Sequence, residues 1–126
     1  MTKELKEMIA PRWCEEKNGV FVPLIGKVLE AKNLTPEPMT WYEFMDLAKA
    51  KGKQIATKEE LLQMYLQKDE INAILKEHDG DLLEGWFGSS SEYDRNNEWV
   101  VHFGSGGCGN ASKYGSHLAR AVAALQ

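Results

Sequence analysis

The residue types with the most direct chemistry lie near the C-terminus, in the stretch "NEWVVHFGSGGCGNASKYGSH" at 97–117. Cys108 could act as a nucleophile if the imidazole of His102 or His117 removed its proton. However, glycines flank this cysteine, and nothing in the sequence fixes a base beside it. We therefore predict no catalytic residue, and we keep a Cys108-dependent oxidoreductase or transferase as an alternative.

Metal and phosphate motifs are incomplete in this sequence. The three histidines share no metal-ligand spacing with one another or with the two cysteines. The segment "DGDLLE" at 79–84 begins like a calcium loop but lacks the later ligands. The segment "GSGGCG" at 104–109 lacks the Lys-Ser/Thr pair that completes a phosphate loop. We therefore predict no metal site and no cofactor.

The composition of the same stretch is typical of a binding surface. Tyrosine supplies rigid amphipathic contact area, and serine, glycine and asparagine supply adaptable hydrogen bonds. Residues of these types, together with histidine, dominate 93–97 and 102–117. We predict that these two segments are binding loops held by a rigid scaffold. The predicted ligand-binding residues are Tyr93, Asp94, Arg95, Asn96, Asn97, His102, Ser105, Cys108, Asn110, Ser112, Tyr114, Ser116 and His117.

Different roles are expected within this set. Tyr93 and Tyr114 would be aromatic anchors, whereas Asp94 and Arg95 would make charge-selective contacts. The asparagine, serine and histidine residues would be adaptable hydrogen-bonding groups. The scaffold that holds these loops is predicted to consist of Trp86, Trp99, Val101, Phe103 and Val122.

Length and composition limit the class of protein. The chain has 126 residues, of which 43% are hydrophobic, so it can bury a core. The net charge of −4, with lysine and arginine spread along the chain, argues against a nucleic-acid partner. No apolar run approaches the roughly 20 residues of a membrane span. The N-terminus lacks the pattern of a signal peptide, so we expect a cytoplasmic protein, or one in a virus particle assembled there, with Cys14 and Cys108 as free thiols.

Helical spacing is strongest in the first two thirds of the chain. A short helix over 3–9 is predicted to end before Pro11. Thr40 and Thr57 each begin a T-x-x-E capping box, which predicts two further helices, and Gly52 suits the end of the first. The apolar positions at helical spacing are Trp41, Phe44, Leu47 and Ala48, then Leu61, Leu62, Tyr65 and Leu66, and finally Ile71, Ile74 and Leu75.

Strand patterns occupy the remainder of the sequence. An edge strand or short hairpin is predicted over 19–29, and strands are predicted over 86–91 and 98–103. Alternation over 98–103 would place Trp99, Val101 and Phe103 toward the core and would place Val100 and His102 outward. The last segment, 117–125, fits a helix or a final strand equally well. Helices that precede strands favour the α+β class.

Two longer tracts resemble bacterial and phage C-type-lectin-like domains. These tracts are "MTWYEFMDLAKAKGKQIATKEELLQMY" and "WFGSSSEYDRNNEWVVHFGSG" with a later Arg-x-Val, and the match spans 39–122. The resemblance implies one α+β domain over 1–126, with two main helices on a small, mostly antiparallel sheet and a variable binding region at about 86–120. Ala56 stands where the family usually has proline, and Gly88 where it often has tryptophan.

Within this superfamily, the chain is most similar to the variable proteins of diversity-generating retroelements. Such elements mutate adenines, chiefly in AAC codons, across the ligand-binding part of the domain. An AAC codon changed at its adenines cannot become Trp, Glu, Lys, Met or Gln. Between residues 86 and 125, those unreachable types occur only at Trp86, Glu92, Glu98, Trp99 and Lys113. The resemblance therefore implies that these five residues are fixed.

The function that the resemblance implies is binding of a protein or glycan ligand at the C-terminal variable surface. A fixed-specificity adhesin or glycan-binding domain of the same fold is an alternative. Calcium-dependent sugar binding is not expected, because Glu37-Pro38 precedes the first capping box and 96–99 lacks the carboxylate order of the eukaryotic lectins. The formylglycine-generating enzymes share the fold, but the resemblance brings no second cysteine to Cys108.

Overall fold

The protein has an α+β fold that combines four helices with two five-stranded sheets, and the computed structural model describes residues 2–125. The helices are α1 (Lys3–Ile9), α2 (Trp41–Ala50), α3 (Lys58–Leu66) and α4 (Lys68–Glu77). The strands are β1 (Arg12–Cys14), β2 (Gly19–Val22), β3 (Lys27–Glu30), β4 (Met39–Thr40), β5 (Gln54–Ile55), β6 (Trp86–Glu92), β7 (Asn97–His102), β8 (Cys108–Ser112), β9 (Ser116–Ala119) and β10 (Ala121–Ala124). The first sheet has the order β1-β2-β3-β10-β5, and the second has the order β4-β9-β6-β7-β8.

Both predicted capping boxes form at the starts of α2 and α3. Oγ1 of Thr40 accepts from the Glu43 amide at 3.2 Å, and the Glu43 carboxylate accepts from the Thr40 amide at 3.0 Å. Thr57 and Glu60 make the same pair of bonds at 3.1 and 2.9 Å. Each box satisfies backbone donors that have no partner within the first helical turn. These helix starts are therefore fixed by local sequence.

The helices bury a narrower set of residues than their spacing predicts. Phe44 and Ala48 of α2 are buried as expected. In α3, Leu61 is buried, but Met64 takes the second core position and Leu66 is 69% exposed. Leu66 falls at helical spacing with Leu61 and Leu62 but stays exposed, because α3 ends at this residue and Gln67 leaves the helical conformation before α4 begins.

Of the two alternatives predicted for 19–29, an edge strand or a short hairpin, the structure has the hairpin: β2 and β3 pair antiparallel from Gly19↔Glu30 to Val22↔Lys27. Gly26 has φ of +65° in the connecting turn, a conformation in which a side chain would be strained. The C-terminal segment, for which helix and strand were both open, forms strands, and β10 lies between β3 and β5. Its alanines pair with both neighbours, so tertiary pairing overrides their helix propensity.

The second sheet is covered on both faces. Helix α3 packs against β6 and β7, while α2 packs against β6 and β9. Val101 and Phe103 are buried as predicted, and Trp99 is half-buried. The prediction that Val100 faces outward was wrong, because Val100 is only 4% exposed. A strand with both faces covered does not follow the alternation of a half-exposed strand.

Arg120 joins the two sheets at the point where β9 gives way to β10. Its side chain is fully buried and donates to the carbonyl oxygens of Glu30 at 2.8 Å and Ala31 at 2.7 Å, and to Oδ1 of Asn33 at 3.2 Å. Burial lowers the pKa of the Arg120 guanidinium to about 10, although Asp81 and Glu30 oppose this change. Its carbonyl accepts from the Ala56 amide at 2.9 Å, a bond that a proline at position 56 could not make.

Within residues 2–125, no helix combines the length and the apolar character needed to cross a membrane.

Candidate functional site

The predicted binding residues lie on three connections of the second sheet and on its strands β7, β8 and β9. The prediction that 102–117 is a loop was wrong in part, because this segment contains β8 and the start of β9. The β6–β7 turn holds 93–96, the β7–β8 turn holds 103–107, and the β8–β9 turn holds 113–115. Ser112 lies opposite Asn97, whereas Cys108 lies opposite Val101. Four residues of strand span about 13 Å, so the predicted set is divided between two ends of the sheet.

We call the end that carries Tyr93 and Tyr114 the aromatic end. It also holds Asp94, Arg95, Asn96, Asn97, Ser112, Ser116 and His117. We call the opposite end, with the turn at 103–107, the glycine end, and it holds His102, Ser105 and Cys108. Asn110 lies between the two ends, opposite Trp99. The structure therefore brings nine of the thirteen residues together at one end.

The turn at 93–96 is ordered by its own side chains. Oδ1 of Asp94 accepts from the Asn96 amide at 2.9 Å and from the Asn97 side-chain amide at 2.9 Å. These hydrogen bonds, with the Asn96 amide as the largest cause, lower the pKa of the Asp94 carboxyl. The Tyr93 amide donates to the Asn97 carbonyl at 2.9 Å. One oxygen of Asp94 thus supports the turn, and the side chain of Arg95 is exposed.

Lys113 connects the segments of the aromatic end. Its Nζ donates to Oε1 of Glu92 at 2.7 Å and to the Arg95 carbonyl at 3.0 Å, and it lies 4.4 Å from the centre of the Trp41 ring. Its backbone amide donates to the Asn96 carbonyl, and its own carbonyl accepts from the Trp41 amide at 3.1 Å. This nearly buried lysine therefore holds the β6–β7 turn, the β8–β9 turn and the start of α2 together.

Two aromatic pairs lie at the aromatic end. The Tyr42 and Tyr114 rings lie 5.3 Å apart between centroids, and the Tyr93 and Trp99 rings lie 4.9 Å apart. Nζ of Lys58 lies 4.1 Å from the Trp99 ring centre, within the range of a cation–π interaction. The sequence interpretation did not include Tyr42 and Lys58 in the site. The sequence held a signal for Tyr42, because this tyrosine lies off the apolar stripe of α2. The structure leaves it 39% exposed.

Glu98 and His117 form a buried pair beneath the aromatic end. Oε2 of Glu98 and Nδ1 of His117 are 3.7 Å apart, which is too long for a hydrogen bond. Within residues 2–125, neither Glu98 oxygen nor this nitrogen has a hydrogen-bond partner. Burial raises the pKa of the Glu98 carboxyl, and His117 and Lys113 oppose part of that rise.

Gly88 makes room for the buried Glu98 carboxylate. A Cβ atom at Gly88 would lie 2.5 Å from Oε1 of Glu98 and 2.9 Å from the Phe44 ring. The tryptophan that the resemblance leads one to expect at this position would not fit. Phe87 is buried on the other side of the sheet, and Trp86 is half exposed.

The glycine end does not assemble a nucleophile and a base. Nδ1 of His102 lies 3.2 Å from Oγ of Ser105, and the His102 ring packs 4.8 Å from Trp86. Cys108 lies opposite Val101, so its side chain shares the face of Val101 and not that of His102. His117 is on β9, three strands away from β8 in the sheet. Both cysteines are free thiols.

The structure places no three His, Cys, Asp or Glu side chains of residues 2–125 where they could hold a metal ion together. Compared with protein-family models and with curated proteins, the chain matches none of them. The function is therefore inferred from the geometry of the aromatic end.

Proposed function

We propose that this chain is a ligand-binding protein with a C-type-lectin-like fold, whose C-terminal surface is diversified by a retroelement. The α+β architecture, with its second sheet between α2 and α3, is compatible with this fold. On this proposal, the aromatic end is the ligand-binding surface, and the rest of the chain is a constant scaffold.

The observation that carries the proposal is an inverted pattern of burial. Lysine and glutamate are usually the most exposed residue types, and large aromatic residues are usually buried. Here Lys113 is 2% exposed and Glu98 is fully buried, whereas Tyr93 is 48% and Tyr114 is 74% exposed. The buried charges are types that adenine mutation of an AAC codon cannot produce, and the exposed tyrosines are types that it can produce.

The other residues of types that an AAC codon cannot reach make contacts within the domain, although Glu92 and Trp86 are themselves exposed. Glu92 is bound to Lys113, and Trp99 is covered in part by Lys58 and Tyr93. Trp86 is half exposed, but it packs against His102 at the glycine end. Residues of types that adenine mutation of an AAC codon can produce occupy exposed positions, among them Asp94, Arg95, Asn96, Cys108, Asn110 and Ser116. A surface of this kind can change its side chains without removing the contacts that hold it.

Binding would depend on two kinds of side chain. Tyr93 and Tyr114 would bury large rings against the ligand at a low cost in side-chain entropy. Asp94, whose carboxylate is held by the turn, and Arg95 would select for charge. Tyr42 of α2 would be a constant aromatic contact beside Tyr114.

The proposal is tested at the level of DNA. Diversification requires a near-repeat of the 3′ coding region beside a reverse transcriptase gene, with differences concentrated at adenines of the repeat. Finding this arrangement supports the proposal. A locus without such a repeat would leave a binding domain of fixed specificity as the function that the same surface supports.

A further inference from the structure

Strand β8 differs from the other three edge strands of the two sheets. The edges β4 and β5 have two residues each, and β1 has three. Pro11, Pro38 and Lys53 precede β1, β4 and β5, and proline and lysine are residues that protect sheet edges from pairing. Strand β8 has five residues, contains no charge and no proline, and pairs with β7 without a bulge.

The hydrogen-bond pattern shows which backbone groups of β8 face outward. Lys113 donates to the Asn96 carbonyl, and His102 donates to the Gly107 carbonyl. In an antiparallel ladder such pairs alternate, so Gly109 and Ala111 bond inward to β7. Cys108, Asn110 and Ser112 therefore direct their N–H groups and carbonyls away from the sheet. The Ser112 carbonyl already accepts from Gly115 at 2.9 Å, which leaves three N–H groups and two carbonyls of this edge without a partner among residues 2–125.

We propose that β8 is a docking edge for an extended segment of a protein ligand, which adds a sixth strand to the second sheet. The inference rests on the proposed ligand-binding function and specifies the class of ligand as polypeptide. Main-chain donors and acceptors at every second residue are complementary to an extended backbone and not to a sugar ring.

The position of β8 would let the chain keep affinity for a polypeptide while the side chains of the surface are diversified. The residues with outward-facing backbone groups, Cys108, Asn110 and Ser112, also have exposed side chains. Their backbone bonds would be the same for any side chain except proline, while the side chains would set specificity. A second copy of this chain is disfavoured as the occupant, because pairing of β8 with itself would cover the surface that the ligand needs.

The experiment compares two variants that lack the same side chain. Asn110→Ala keeps the outward N–H, whereas Asn110→Pro removes it, and proline is tolerated at an edge position whose N–H faces solvent. The probe is a linear 12-residue peptide selected from a displayed random library against the wild-type chain and synthesised with blocked termini. Its dissociation constant for each variant is measured by calorimetry, and circular dichroism confirms that both variants fold.

We expect Asn110→Pro to bind the peptide about ten-fold more weakly than Asn110→Ala, the effect of losing one main-chain hydrogen bond. N-methylation of alternate peptide amides should abolish binding. Hydrogen exchange of the wild-type chain should show that the Cys108, Asn110 and Ser112 amides become protected when the peptide is added, which tests the proposal even if Asn110→Pro does not fold.

Three results would overturn the inference. The first is a selection that yields no peptide, and the second is equal affinity of the two variants. The third is a wild-type dimer in ultracentrifugation that Asn110→Pro dissociates, which would make a second copy the occupant. If a peptide or a glycan instead binds equally to both Asn110 variants but is lost in Tyr114→Ser, the docking edge is excluded and the ligand-binding proposal stands.

Discussion

Nζ of Lys113 lies 2.7 Å from Oε1 of Glu92, although the lysine is nearly buried and the glutamate side chain is 58% exposed. The pair is therefore asymmetric. The glutamate keeps its contact with water, while the lysine obtains most of its stabilisation from protein groups, including the Arg95 carbonyl and the Trp41 ring. This asymmetry predicts unequal effects of removing the two partners.

Replacement of Lys113 by methionine should destabilise the chain by about 1–3 kcal/mol. Methionine keeps most of the apolar stem, so the loss comes from the ion pair, the hydrogen bond to Arg95 and the cation–π contact. Glu92→Gln is the matched control and should cost less than about 1 kcal/mol, because that side chain is largely solvated. Urea denaturation measures the free energy of unfolding of both variants. If Lys113→Met unfolded at the same urea concentration as the wild-type chain, the lysine would not hold the loops.

Substitution of Glu98 should change the dependence of stability on pH. Because the folded pKa of Glu98 is raised, the folded chain binds a proton that the unfolded chain has already released. Stability from this group therefore falls as pH rises from the ordinary glutamate pKa through the raised one. The pKa of Asp94 is lowered, so the stability that this carboxylate contributes is lost as the pH falls from the ordinary aspartate pKa through the lowered one.

The Glu98→Gln variant isolates this contribution. Its free energy of unfolding should increase relative to the wild-type value as pH rises across that window, since the amide cannot lose a proton. Denaturant titrations at a series of pH values measure the difference. A difference that is constant with pH would mean that Glu98 has no raised pKa in the folded chain.

Two glycines of the second sheet should respond in opposite ways to alanine. Gly88→Ala should cost about 1–3 kcal/mol, because the new Cβ would press against Oε1 of Glu98 and the Phe44 ring. Gly109→Ala meets no atom within 4 Å and should be neutral or stabilising by up to about 1 kcal/mol. Thermal denaturation distinguishes the two variants, and equal melting temperatures would contradict the crowding at Gly88.

The exposed surface should tolerate simultaneous change. A variant that combines Cys108→Ser, Asn110→Ser and Tyr114→Ser should fold, with each substitution changing stability by no more than about 0.5 kcal/mol. Ser89→Ala is the contrasting control: Ser89 is fully buried, and its hydroxyl donates to the Trp99 carbonyl at 2.7 Å, so its loss should cost about 1 kcal/mol. A triple variant that fails to fold would show that these side chains belong to the scaffold.

Local features of the fold were predictable from the sequence. The capping boxes at Thr40 and Thr57 and the helix end at Gly52 depend on residues a few positions apart, and all three form. The hairpin over 19–29 was predictable for the same reason. The choice between helix and strand for the C-terminal segment was not, because it depends on pairing with β3 and β5, which are more than 60 residues away.

The candidate site was predictable in its exposed half only. Turn composition identified Tyr93–Asn97 and Tyr114, which are exposed or half-buried as loop residues are. The burial of Lys113 and Glu98, and the approach of Tyr42, depend on the start of α2 lying against the β8–β9 turn. The burial of Val100 was missed for the same reason, since no local pattern indicates that a helix covers the second face of the sheet.

We expect the exposed residues of the C-terminal surface to vary while the buried charges beneath them do not. The direct test is deep sequencing of this gene across a natural population, with an alignment to any near-repeat found beside it. We predict substitutions at adenines in the codons for residues such as Asn110 and Tyr114. The codons for Glu98 and Lys113 also contain adenine, so we expect them to stay unchanged because selection for the folded chain removes their substitutions. Substitutions spread evenly over these four codons, or an invariant gene, would contradict this prediction.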